Sequence, residues 1–241
     1  MCRHLAYVGS PAGLAHPLFD APQSLAKQAE HPRHQISGTS NPDGWGVAWY
    51  TEGRAEPEWY RTVTPMWDDE TFAARAAALS SGAYIAAARL ASPGASLVDT
   101  GNAPFVCGRW AFSLNGLVHG FTEGIGDELR SRLHPDRHAA IAGDADTEVL
   151  FALVLQELDA GADPPTALSS VVRDVLAITT GRLNLLLTDG RRLYATRVGN
   201  SLFRMGSVIA SEPIDDDAAW VEVTDHSLVV LAGECVDTTP L

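Results

Sequence analysis

The sequence predicts an α+β fold of largely antiparallel sheets covered by helices. Strand-like runs arrive in groups, with the helical segments clustered between them rather than alternating singly with strands. Turn pairs such as Asp189-Gly190 and Gly199-Asn200 separate neighbouring runs and suit antiparallel hairpins. The chain has 241 residues, 46% of them hydrophobic, so it is long enough to bury a substantial core.

The apolar or alternating runs that predict strands are Arg3–Val8, Trp45–Tyr50, Tyr84–Arg89, Trp110–Leu114, Leu183–Thr188, Arg192–Val198, Val208–Ser211 and Ser227–Leu231. Helical spacing marks Glu70–Leu79 behind the potential caps Asp68 and Asp69. It also marks Thr147–Leu158, with Val149, Leu150, Leu153, Val154 and Leu158 on one broad face ahead of Gly161. Pro165–Ile178 opens with the proline expected in a first helical turn. No repeat, low-complexity tract or linker divides the chain, which predicts a single domain over 1–241.

Charge and composition exclude several classes of function. A net charge of −13 with a single lysine, Lys27, argues against nucleic acid as a partner, because phosphate binding requires clustered cations. No run of about 18 apolar residues predicts a membrane span, and Met1–Tyr7 lacks the basic head and apolar stretch of a secretory signal. Three cysteines without close spacing (Cys2, Cys107 and Cys235) fit a reducing, cytoplasmic setting and predict neither a disulfide framework nor a zinc site. Cys107 and Cys235 are expected to pack as small apolar groups. The pairs His31/His34 and His134/His138 have helical spacing, but Pro32 and Pro135 interrupt them and no third ligand stands nearby, so no metal is expected.

Chemistry concentrates at a few positions. Removal of Met1 would give Cys2 a free α-amine beside its own thiol, with an amine pKa of about 8 that suits a proton acceptor near neutrality. Asn41-Pro42-Asp43-Gly44-Trp45-Gly46 reads as a tight reversal into a strand, or as a turn that lets backbone or ligand approach closely. Arg89 ends an apolar strand, where it can hold a carboxylate through two parallel hydrogen bonds with Ser92 adding a third, or stand as a surface residue. In Ser113-Leu114-Asn115-Gly116 the Asn115 side-chain amide and the Gly116 backbone N–H can converge as an oxyanion hole, although Asn-Gly is also a strong hairpin signal. Asp146 or Thr147 can cap the helix that follows, and Asp146 can alternatively bind an ammonium group.

In order along the chain, these pieces resemble the class II glutamine amidotransferases, a branch of the N-terminal-nucleophile hydrolases. The resemblance rests on Cys2, the Asn-Pro-Asp-Gly-Trp-Gly turn, Arg89 with Ser92 and Gly94, Asn115-Gly116, Asp146 before a helix, and Ser211-Glu212-Pro213. It implies a four-layer αββα sandwich and attack by the Cys2 thiol, with its own amine as base. It further implies Asn115 and Gly116 as oxyanion donors, Arg89 and Ser92 on the α-carboxylate of a γ-glutamyl group, and Asp146 on its α-ammonium. Gly44 and Trp45 are implied as further substrate contacts. The family's usual histidine before Asn-Gly is here Leu114, which supplies neither assigned donor.

The reaction so implied is hydrolysis of a small γ-glutamyl amide through a thioester, with no cofactor. At this length no fused ammonia-consuming domain is expected. That leaves a simple hydrolase, a glutaminase subunit feeding a separate synthase, or an inactive γ-glutamyl-binding module. Further segments resemble a stand-alone hydrolase branch of the family with a cationic leaving group: Cys2-Arg3-His4, Met66-Trp67-Asp68-Asp69, the stretch from Ser211 to Trp220, and the final Thr239-Pro240-Leu241. Trp45, Trp67 and Trp220 are its expected aromatic faces, with Asp68, Asp69 and Asp215 adding a favourable field.

Overall fold

The computed structural model of the chain describes residues 2–92, 95–233 and 235–241. Its strands, in chain order, begin with β1 (Arg3–Gly13), β2 (Trp45–Trp49), β3 (Glu58–Thr62), β4 (Ser80–Ala88), β5 (Phe105–Cys107), β6 (Trp110–Val118) and β7 (Gly181–Thr188). There follow β8 (Leu193–Arg197), β9 (Phe203–Met205), β10 (Val208–Ala210), β11 (Val221–Glu222), β12 (Ser227–Ala232) and β13 (Cys235–Pro240). The α-helices are α1 (Leu25–Glu30), α2 (Glu70–Ala76), α3 (Ile125–Ser131), α4 (Pro135–Ala139), α5 (Asp146–Asp159) and α6 (Pro164–Ile178).

Two sheets form, of order β11-β9-β10-β1-β4-β2-β3 and β13-β12-β8-β7-β6-β5. Their ladders are antiparallel, with β1 paired to β4 through Arg3↔Ala88 and β6 paired to β7 through Asn115↔Asn184 and Gly116↔Leu183. Alternation along each strand sorts side chains between two layers. Ala6, Ala48, Ala83, Ile85, Ala111, Leu186 and Ala195 meet between the sheets, and small side chains there bring the sheets close together. On the outer face of the first sheet, Leu5, Trp45, Val47, Tyr84 and Ala86 pack against Leu25 and Ala29 of α1 and Phe72 and Ala76 of α2. On the outer face of the second, Phe112, Leu114, Leu185 and Leu187 pack against Val149, Leu150 and Val154 of α5 and Leu168, Val172 and Val175 of α6. The layers therefore run helix, sheet, sheet, helix, the α+β sandwich expected from the sequence. No helix among the described residues is long and apolar enough to cross a membrane.

The expected strands all form, with shifted ends. β4 begins at Ser80 rather than Tyr84, and β1 runs to Gly13 across a register shift between Val8 and Ala12. The principal correction concerns Asn115-Gly116, which lies inside β6 rather than in a hairpin turn. A β-carbon on Gly116 would overlap the Arg182 carbonyl oxygen, so glycine stands there because a neighbouring strand presses against it. The Asp146/Thr147 cap is also corrected. Ala145 occupies the N-cap position of α5 without a side-chain bond, and Asp146 is the first helical residue. Cys107 is half-buried on β5, whereas Cys235 is exposed and does not pack inside.

Asp69 joins three elements of the outer layer. Its Oδ1 accepts the Phe72 N–H at 3.0 Å and caps α2, while its Oδ2 accepts the Trp45 indole N–H at 3.1 Å and the Tyr60 hydroxyl at 2.8 Å. Asp69→Ala removes the cap and orphans a buried indole donor, so stability is expected to fall by about 2–4 kcal/mol in denaturant titration. Turnover per folded molecule should be retained. A stability change within experimental error would refute this assignment of Asp69 as the hub of the layer.

Candidate active site

A cleft of about 850 Å³ opens where the starts of β1 and α5 meet the ends of β4 and β6. Cys2, Arg89, Ser92, Gly116, Val118 and Asp146 line it, so residues spread over most of the chain converge on one space. Cys2 immediately precedes β1, and Arg89 immediately follows β4, its paired neighbour.

Beneath the cleft lies a buried polar layer that alternation creates between the sheets. His4 shares the face of Ala6 and Val8, and its Nδ1 lies 2.9 Å from the Ser113 hydroxyl of β6. Burial, then the neighbouring Arg3 cation, pushes the His4 imidazole down to about 3, which leaves it neutral. The Asn115 amide nitrogen donates to Ser211 Oγ at 3.0 Å, and its carbonyl oxygen accepts from Asn200 Nδ2 at 3.2 Å. Ser211 Oγ also accepts the His4 backbone N–H at 3.0 Å. An amide nitrogen carries two protons, so Asn115 is held by two neighbours and retains one donor to offer. Asn115 is fully buried in this network, and Gly116 beside it forms part of the cleft wall.

Asp146 bridges two elements at the cleft. Its Oδ2 accepts the Val118 N–H from the end of β6 at 3.1 Å, and its Oδ1 accepts the Thr147 N–H at 2.7 Å. Burial pushes its carboxyl above the ordinary range, against those hydrogen bonds and the attraction of Arg89, which pull it down. Arg89 NH1 donates to the Ser96 carbonyl at 3.2 Å and to Asn102 Oδ1 at 3.4 Å. The cleft thus carries a cation and an anion close enough to feel each other.

Gly44 and Trp45, implied by the resemblance as further substrate contacts, do not line this cleft. Trp45 is fully buried in the outer layer, with its ring at 5.1 Å from Phe72. Their turn instead seats Arg89. Asp43 N donates to the Arg89 carbonyl at 3.0 Å, Arg89 N to the Gly44 carbonyl at 2.8 Å, and Ala91 N to Asp43 Oδ2 at 2.8 Å. Gly44 has φ of 101°, and a β-carbon there would overlap the Thr62 carbonyl oxygen. Trp67 and Trp220 also belong to the outer layer, and the Trp220 indole donates to Asp215 at 2.8 Å. The aromatic side chains of the cleft are Phe105 and Phe121, joined by the acids Glu123 and Asp144. Gly94 lies outside the described residues.

Sequence reasoning passed over Arg3, His4 and Glu212 as individual residues. For Arg3 and His4 the signal was charge or polarity inside an otherwise apolar strand run, which alternation alone would assign to a solvated face, whereas Glu212 lies just past the run Val208–Ser211. Arg3 is instead wholly buried, and NH1 meets Glu212 Oε1 at 2.8 Å. Burial pulls its guanidinium below the ordinary range, while Glu212 and the Cys2 sulfur pull it back up. Among the described residues no cluster of three or more His, Cys, Asp or Glu side chains is placed to hold a metal ion.

A cysteine at the head of the first strand, above two antiparallel sheets flanked by helices, defines the N-terminal-nucleophile hydrolase class. The family profile of glutamine amidotransferases class-II matches residues 31–205. A γ-glutamyl-hercynylcysteine sulfoxide hydrolase from Mycolicibacterium smegmatis is 36% identical over 246 residues, covering all of both chains. The protein of the same name from Mycobacterium tuberculosis is 35% identical, covering all of this chain and 97% of the relative. Among solved structures, a glutamine aminotransferase class-II domain protein from Silicibacter pomeroyi superposes with a TM-score of 0.72 at 27% identity, covering 99% of each chain. The chain belongs to the class-II glutamine amidotransferases.

Gly116→Ala places a methyl group inside the β6–β7 contact. A stability loss of about 2 kcal/mol or more is expected from such overpacking, with activity falling because the cleft wall shifts. An unchanged melting temperature would contradict the observed strand spacing.

Proposed function

We propose that this chain hydrolyses a γ-glutamyl amide through a thioester on Cys2, and that its substrate is γ-glutamyl-hercynylcysteine sulfoxide. The observation that carries the reading is the convergence of Cys2, Arg89, Gly116 and Asp146 on one cleft. The matched relatives align with this chain over essentially their whole length and bear that hydrolase name, which supports the substrate. The whole chain then acts as one amidotransferase-like domain, and its cysteine usage fits the reducing cytoplasm.

Loss of Met1 frees the Cys2 amine, which takes the proton of the thiol beside it. Sulfur attacks the γ-carbonyl, and the oxyanion that forms is received by the remaining Asn115 proton and the Gly116 amide. The protonated amine returns its proton to the departing nitrogen, and water then cleaves the thioester to glutamate. Arg89, with Ser92, holds the α-carboxylate, and Asp146 pairs with the α-ammonium. The substrate's trimethylammonium group cannot donate a hydrogen bond, so the acids Glu123 and Asp144 at the cleft supply attraction through space. Phe105 and Phe121 offer aromatic surface, although Arg61 and Arg130 already lie 5.4 and 5.1 Å from their ring centres.

The substrate assignment is tested by comparing kcat/KM for the sulfoxide with that for glutamine, without added protein. A clear preference for the sulfoxide is expected. Equal use of glutamine, or activity only beside a synthase, would assign the chain as an ammonia-supplying subunit instead.

Asn115→Ala is expected to lower kcat by about 10²–10³ while KM changes little. A rise in KM alone would make Asn115 a binding residue.

Asp146 must be ionised to pair with an ammonium, and its raised pKa means that protonation begins at a higher pH than for an ordinary carboxylate. KM should therefore climb as pH falls towards the acid side, and Asp146→Asn should give a high KM that no longer changes over that range. Persistence of the same pH dependence in Asp146→Asn would assign the titration to another group.

A further inference from the structure

We infer that the buried Arg3–Glu212 pair is a positioning device for the nucleophile: it fixes the peptide plane from which the Cys2 amine and thiol project. This inference rests on Cys2 being the nucleophile.

Cys2 precedes the first strand, so the β1 ladder does not hold it on both sides. After loss of Met1 it is attached to the protein by the single peptide bond to Arg3. Tilting of that plane would carry both reacting groups away from Asn115 and Gly116. Arg3 Nε donates to the Cys2 carbonyl at 2.9 Å, and this side chain is fully buried. Its NH1 donates to Glu212 Oε1 at 2.8 Å, which ties the guanidinium to the segment just after β10.

Glu212 is itself held from several directions. Oε1 also accepts the His34 N–H at 2.9 Å, Oε2 accepts the Arg33 N–H at 2.8 Å, and the Glu212 carbonyl accepts from Gln28 Nε2 at 3.1 Å. An ion pair buried only for stability has no need of a third point of contact, and nonpolar packing could replace it. Here the third contact is the backbone of Cys2. The planar fork of arginine serves both acceptors at once, which the single ammonium of lysine cannot do with the same geometry. Arg3 and Leu5 point to the outer face while Cys2 and His4 face the sheet interface, so the clamp acts from behind the strand and leaves the cleft open.

Arg3→Lys and Glu212→Gln are to be assayed on chains whose mature N-terminus has been confirmed by mass spectrometry, at a temperature where melts show full folding. Both are expected to lower kcat on the order of tenfold to a hundredfold, as small misplacements of reacting groups do. KM should stay within about twofold, because Arg89 and Asp146 are untouched. Two variants are used so that one remains informative if the other fails to fold. If a fully folded variant keeps kcat within about twofold of the parent, the pair is structural only and the proposal is overturned. A kcat that falls only in proportion to the unfolded fraction overturns it equally. Iodoacetamide on the parent enzyme separates the underlying reading: alkylation of Cys2 that leaves turnover intact would remove Cys2 as nucleophile, whatever the variants do.

Discussion

Burial of the first strand on both faces constrains everything else in the molecule. Period-two alternation sends Cys2, His4, Ala6 and Val8 towards the second sheet, and Arg3 and Leu5 towards the outer layer. A one-residue slip would exchange the two sets and place the thiol behind the sheet. The register with β4 prevents this, pairing Arg3 with Ala88 and so setting Arg89 next to Cys2. The alanines between the sheets serve the same end, because close sheets let Ser113 and Asn115 on β6 reach His4 on β1 and Ser211 just after β10.

The polar groups that this arrangement buries are expensive to desolvate, and the structure offsets the cost in different ways. His4 remains neutral. Asn115 and Ser211 satisfy one another and their neighbours within a network, where each bond orients the next. Arg3 stays ionised beside Glu212, which accepts two backbone N–H groups besides. Asp146 gains two backbone donors yet keeps a raised pKa, as suits a carboxylate awaiting a cationic partner. Such a site is organised before any substrate arrives.

Much of this was legible in the residues, because period and turn chemistry report on one strand or helix at a time. Apolar runs located the expected strands, and Pro165 and the face built on Val149 and Leu153 located the two long helices. Short strands such as β9 and β11 carry too few residues for a period to register. Asn115-Gly116 was ambiguous since the same dipeptide suits a turn and a strand whose neighbour approaches closely, and only the Arg182 carbonyl decides between them. Trp45 drew attention as an aromatic between glycines, but its orientation depends on α2, which is distant in sequence. Residues converging on the cleft were named from the family resemblance, whereas the support behind Cys2 required the folded chain.

The proposed chemistry depends on an N-terminal Cys2, freed of Met1, as the reacting group of a γ-glutamyl site. A diazoketone analogue of glutamine carries the groups that Arg89 and Asp146 would hold and alkylates a thiol placed at the reacting carbon. Intact and peptide mass spectrometry after partial inactivation is the most direct measurement. One label per chain is expected, on the sulfur of Cys2 in a chain lacking Met1, with activity lost in proportion to labelling. A label on any other residue, or a fully active enzyme that retains Met1, would contradict this chemistry.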